Sequence, residues 1–275
     1  MINPFTMIEL QSINREMQQK QLINFPITTG SYLMFVNNII DLALKRKSSI
    51  VCVANVHMFI EAYRDQKFLK IIKSADIVTP DGRPLVWGLQ LLHGIKQDRA
   101  SGMDLLPDLL HHIASQNISA YFYGGTQTML NKTIFFLENK YPNLKIAGFY
   151  SPPFGLKCNL ENKEVIDTIN NSGPTVVFVI LGCPKQEKWM ASMKDNIHTV
   201  MIGIGGALPV MLGIQKRAPK WMQDDGLEWL FRLCQEPRRL FRRYTSSNSL
   251  FLWIFLKEYL KVKILNPLNL FKHIK

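Results

Sequence analysis

Six times along the chain a short apolar run gives way to a helical pattern. Runs rich in Val, Ile and aromatic residues at 50–55, 76–79, 120–123, 145–150, 176–181 and 200–203 are followed by helical patterns near 58–72, 103–115, 127–140, 163–170, 184–194 and 207–212. Strands apolar on both faces and alternating with helices belong in a parallel sheet covered on both sides. The expected fold class is therefore α/β, a Rossmann-like parallel sheet sandwiched by helices. Its 275 residues allow one large domain or two small ones. From about Arg217 the pattern changes to helical segments rich in Trp, Leu and Arg. The expected division is an α/β domain over 1–215 and a basic helical C-terminal appendage over 216–275.

Charge follows the same division. The chain carries a net +12, and residues 216–275 hold 13 Lys and Arg against 5 Asp and Glu. A nearly neutral globular unit with a cationic extension favours an anionic partner, whether nucleic acid, nucleotide diphosphate or an acidic membrane surface. The run at 250–256 is seven apolar residues leading into Lys257, Lys261 and Lys263. It is too short to cross a bilayer and suits an interfacial position, with Trp221, Trp229 and Trp253 as anchors. A tail of this composition fits a neighbouring subunit as well as lipid, which leaves homo-oligomerisation open. The first ten residues lack the basic and apolar regions of a signal peptide, and the four cysteines, Cys52, Cys158, Cys183 and Cys234, show no C-x-x-C spacing. The expectation is a cytosolic protein without disulfides that meets a membrane, if at all, from the cytoplasmic face.

In open parallel sheets ligands sit beyond the carboxyl ends of the strands. The loops there read Asn55-Val56-His57, Pro80-Asp81-Gly82-Arg83, Gly124-Gly125-Thr126, Gly182-Cys183-Pro184-Lys185-Gln186-Glu187 and Gly203-Ile204-Gly205-Gly206. Gly124-Gly125 and Gly203-x-Gly205-Gly206 either admit a phosphate to backbone N–H groups or simply make tight turns. Neither is the dinucleotide fingerprint, which counts against an NAD-dependent epimerase or dehydrogenase. Asp81 is a turn residue or helix cap, or else a general base for an acceptor hydroxyl. Asn55 and Gln186 bond a sugar or nucleotide, or neighbouring backbone. His57 stands alone and reads as helix surface or core. No metal-ligand spacing and no D-x-D pair occurs, so the preferred mechanism needs neither metal nor cofactor. Charge on a diphosphate leaving group would then fall to cations, and the tail offers Arg232, Arg238, Arg239, Arg242 and Arg243.

Taken in order, Asn55, Thr79-Pro80-Asp81-Gly82, Arg99-x-x-Gly102-x-Asp104-Leu105, Tyr123-Gly124-Gly125, Gly182-x-Pro184-Lys185-Gln186-Glu187, Gly203-x-Gly205-Gly206, Arg217-Ala218-Pro219 and Leu227-Glu228-Trp229-x-x-Arg232-Leu233 resemble the WecG/TagA/CpsF glycosyltransferases. The likeness runs from about residue 50 to 244. It implies a metal-independent, inverting transferase that moves an N-acetylmannosamine-type sugar from a UDP-sugar donor to undecaprenyl-diphosphate-linked N-acetylglucosamine at the inner face of the cell membrane, in making a cell-surface polysaccharide. Other hexose or hexuronic acid donors occur in the wider family. The resemblance makes Asp81 the base, with Arg232, Arg239 and Arg242 over the diphosphate. Asn55, Arg99 and Gln186 line the pocket, alongside Glu187 and the glycines 124, 125, 203, 205 and 206. Where the family often has threonine two residues before the pocket asparagine, this chain has Val53, and a hydrogen bond to substrate is lost. A nucleic-acid-binding protein is the rival from another class, motivated by the net charge; the nearly neutral first 215 residues argue against it.

Overall fold

The computed structural model describes residues 17–153 and 163–265; Cys158 lies outside them. A hairpin, β1 (Gln18–Leu22) and β2 (Phe25–Thr29), precedes α1 (Tyr32–Leu44). There follow β3 (Ser49–Ala54), α2 (Val56–Arg64), α3 (Gln66–Lys73), β4 (Ile77–Pro80), α4 (Arg83–His93), α5 (Gly102–Ser115), β5 (Ser119–Gly124), α6 (Gln127–Lys140) and β6 (Lys145–Tyr150). The second half runs α7 (Lys163–Ser172), β7 (Val176–Ile180), α8 (Lys185–Met193), β8 (Val200–Gly203) and α9 (Ala207–Met211). Three helices close the described chain: α10 (Lys220–Asp224), α11 (Glu228–Gln235) and α12 (Pro237–Leu265).

Six strands form one parallel sheet in the order β4-β3-β8-β7-β5-β6. The expected fold class is observed. Alternate side chains along each strand enter separate cores, as the twofold repeat of a strand requires. Cys52, Val78, Val177 and Met201 pack with α2, α3, α7 and α8, whereas Val51, Ile77, Val176 and Ile202 pack with α1, α5 and α6. All six anticipated strands form. The pattern at 58–72 is two helices, because Asp65 ends α2 and its carboxylate accepts from Lys67 N (2.9 Å) and Phe68 N (3.2 Å) to start α3. The hairpin, α1 and α4 lie outside the alternation read from the sequence. The hairpin extends the core beside β4, where Thr28 Oγ1 accepts from Val78 N at 2.9 Å.

The C-terminal helices are docked on the α/β unit. Arg217 pairs with Asp104 of α5, and Arg83 of α4 binds Asp224 (2.8 Å) and the carbonyl of Gln223 (3.3 Å). The run at 250–256 divides by helical phase. Phe251 and Ile254 are buried, with Phe251 edge-on to Phe59 of α2 at 5.1 Å, while Leu252, Trp253 and Leu256 face outward. Among the described residues no helix is long and apolar enough to cross a membrane.

Candidate active site

The loops after β3, β4, β7 and β8 meet the C-terminal helices around two cavities that share a wall. One, of about 400 Å³, lies between α4, α11 and α12. The other, of about 300 Å³, lies over the loops after β7 and β8. Asn55, Asp81, Met103, Arg232, Arg243 and Tyr244 border both. Asp81 stands directly after β4 and its N–H donates to Ala54 O at 2.8 Å, which fixes it beside the end of β3. Burial, then the nearby Glu228 carboxylate, pushes Asp81 from an ordinary 3.8 up to about 7, against the pull of Arg99 and Arg232. A carboxylate of that basicity suits proton abstraction near neutral pH.

Each neighbour has a local reason for its place. Asn55 caps α2, its Oδ1 accepting from Met58 N at 3.2 Å. Arg99 is held by Glu228 (3.0 Å) and Asp104 (3.5 Å) at the edge of the larger cavity. Burial disfavours its charge, but Asp81, Glu228 and Asp104 together outweigh that and raise its pKa. Gln186, 4% exposed, takes Gly182 N–H on Oε1 (3.1 Å) and donates from Nε2 to Glu187 Oε1 (2.7 Å). Close approach explains Gly203, where a Cβ would lie 2.7 Å from Nε2 of buried Gln186; at Gly206 the near atom is the movable guanidinium end of Arg232, 2.7 Å away.

Cations gather on the smaller cavity. Arg232 of α11 and Arg239 and Arg243 of α12 all line it; Arg239 is paired with Glu236. The Nε of Arg243 is buried with no partner, and burial, then Arg232 and Arg239, lower its pKa. Guanidinium groups gathered on one cavity, from half-buried Arg232 and Arg243 to exposed Arg239, suit a multiply charged anion.

Several residues fall elsewhere than the sequence indicates. Arg242 is exposed and borders neither cavity. Residues 239, 243, 247, 251 and 255 make one i,i+4 row on α12, and Arg242 is rotated off it. Gly124 ends β5 and Gly125 follows it, both outside the two cavities, and a Cβ on Gly124 would fall 2.6 Å from Ile180 O, a packing reason for glycine there. Glu187 is fully buried behind Gln186 with Oε2 unpartnered, and burial pushes it up to about 7. Two wall residues, Glu228 and His57, had no site role in the sequence reading, and Arg243 stood there only as one of five tail arginines, outside the three that the resemblance picks. Burial, then Arg243, pushes His57 down to about 4, so it is a neutral imidazole in the wall of the larger cavity. Its place just after the Asn55 cap was the available signal.

Glu228 supplies a test of the electrostatics. Glu228→Gln removes the negative charge beside Asp81, so the acid limb of the kcat/KM profile should move to lower pH. An unmoved limb would mean that another group sets it.

A parallel α/β sheet whose strand ends present a carboxylate of raised pKa beside two adjoining cavities, with Arg232, Arg239 and Arg243 on one of them, has the make-up of a site for an anionic substrate. Residues 20–264 match the family model described as the glycosyl transferase WecG/TagA/CpsF family, and the chain belongs to that family. It is 28% identical over 244 residues to a Bacillus subtilis protein, covering 88% of this chain and 93% of that one. It is 31% identical over 232 residues to a Bacillus spizizenii protein (84% and 88%) and 28% over 249 residues to one from Staphylococcus aureus (88% and 92%). All three are named N-acetylglucosaminyldiphosphoundecaprenol N-acetyl-beta-D-mannosaminyltransferase.

Proposed function

We propose that this glycosyltransferase moves an N-acetylmannosamine-type residue from a UDP-sugar to undecaprenyl-diphosphate-linked N-acetylglucosamine, with inversion and without a metal. The observation that carries the reading is the position of Asp81 on the wall between a cavity lined by glycine and arginine and one that becomes apolar. The donor diphosphate occupies the smaller cavity against Arg232, Arg239 and Arg243. The acceptor sugar enters from the larger one. Asp81 takes the proton of the acceptor hydroxyl, whose oxygen bonds to the anomeric carbon. The bond from that carbon to UDP breaks, its electron pair leaving on the diphosphate. Attack opposite the departing group inverts the centre. The arginines meet charge that grows as the bond breaks, which is where electrostatic stabilisation accelerates the step.

Residues 216–275 act in this reading as a lid that carries the arginines and touches the membrane. Trp253, Leu256 and Leu260 are exposed on α12 beside Lys257, Lys261 and Lys263, an outward face suited to the anionic cytoplasmic leaflet. The test is UDP release from a panel of UDP-sugars with a short-chain lipid-diphosphate N-acetylglucosamine acceptor, with and without chelator. Release with UDP-N-acetylmannosamine at a rate unchanged by chelator is expected; dependence on a divalent ion would remove the metal-free mechanism.

A further inference from the structure

The larger cavity changes character along its length. On α4 the lining runs from Arg83 through Trp87 and Gly88 to Leu91, and on α12 from Arg243 through Ser247 to Leu252 and Phe255. Both helices therefore pass from charged to apolar away from Asp81, and they meet where a Cβ on Gly88 would lie 3.3 Å from Phe255 Cε2. Trp87, Leu91 and Leu252 remain 42%, 55% and 66% exposed, an apolar surface with nothing of this chain over it among the described residues. Resting on the transfer reaction proposed above, we infer that this apolar end is the binding groove for the first isoprene units of the acceptor's lipid, which sets the acceptor's tail specificity.

The occupant follows from continuity and charge. A molecule whose sugar reaches Asp81 must leave through the apolar end if the rest of it is hydrocarbon. Its phosphates then stay beside Arg83, Arg99 and Arg243, and no charged side chain lines the groove beyond Arg83 on α4 or Arg243 on α12. From Arg243 to Phe255 the helix rises about 18 Å. That is the reach of a few isoprene units, after which the tail passes to the outward face of α12.

The experiment uses the full chain and N-acetylglucosaminyl-diphosphate acceptors bearing one, two or three isoprene units, below their aggregation concentration and without vesicles, so that partition into a bilayer cannot contribute. In the wild type KM should fall about tenfold per added unit, a fraction of the full hydrocarbon burial because the groove is open on one side. In the double variant Leu91→Ser, Leu252→Ser the ratio of KM between the shortest and longest acceptor should shrink towards one; reading the ratio within each protein cancels any general change in activity. Both side chains are exposed, and a melting curve confirms folding. Phe135→Ser, altering an exposed residue of α6 outside both cavities, should keep the wild-type ratio. Transfer with a wild-type KM independent of tail length, or a ratio unchanged in the double variant, overturns the groove and leaves the reaction standing. A wild-type chain that is folded yet transfers to none of the acceptors overturns the reaction and the groove with it.

Discussion

Asp81→Asn is expected to lower kcat by about 10²–10⁴-fold, the usual cost of removing a general base, while UDP binding persists. The amide keeps the shape of the side chain but has no basic oxygen to take the acceptor's proton. The same substitution should stabilise the fold in a pH-dependent way. Asp81 rises from 3.8 to about 7 in the folded chain, with burial the main cause. The folded state thus holds the proton more tightly than the unfolded one. The group's favourable contribution is complete below about pH 4 and is lost as pH rises through about 7. Asparagine escapes that loss, so the variant's Tm should match the wild type near pH 4 and exceed it at pH 8. Unchanged turnover would sink the assignment of Asp81 as base. A lower Tm at pH 8 would show that its carboxylate is compensated in the folded protein.

The second large effect concerns which arginines reach the leaving group. Arg243→Ala and Arg232→Ala should each lower kcat by about 10²–10³-fold, as loss of one preorganised donor to a developing anion does. Arg242→Ala should change it by no more than about fivefold, the most that an exposed charge is usually worth. The contrast between neighbours is the informative part, since both changes remove the same charge from the same helix. Severe loss in Arg242→Ala with little in Arg243→Ala would mean that α12 presents a different face to substrate. Melting curves separate this from damage to the packing of Phe251 and Ile254 beneath the helix.

Residues at strand ends were legible in the sequence because turn chemistry acts over a few positions. Asn55, Asp81 and Gln186 stand where an apolar run stops and a helix begins, and the structure sets all three on the cavities. Arg99 was legible only through the resemblance to the family, and Arg232 as one of the five tail arginines, singled out by the same resemblance. The loops that looked alike were harder. Gly124-Gly125 reads as a phosphate loop as well as Gly203-x-Gly205-Gly206 does, but β5 stands beyond β7 in the sheet, and its end borders neither cavity. The break at Asp65 was readable in principle, since an aspartate before two amides is a helix cap, but the apolar periodicity continues through it.

The sequence by itself determined the parallel sheet, the strand-end position of Asn55, Asp81 and Gln186, and the basic character of the C-terminal region. These depend on side-chain alternation and turn preference within a few residues. Only the tertiary structure decided that Arg243 and not Arg242 faces the glycine loop, that Glu228 stands beside Asp81, and that α4 and α12 enclose a groove running from charge to hydrocarbon. The phase of a helix is set by which of its faces loses most water against its neighbour. For α12 that neighbour is α2, about 190 residues earlier in the chain, where Phe59 receives Phe251.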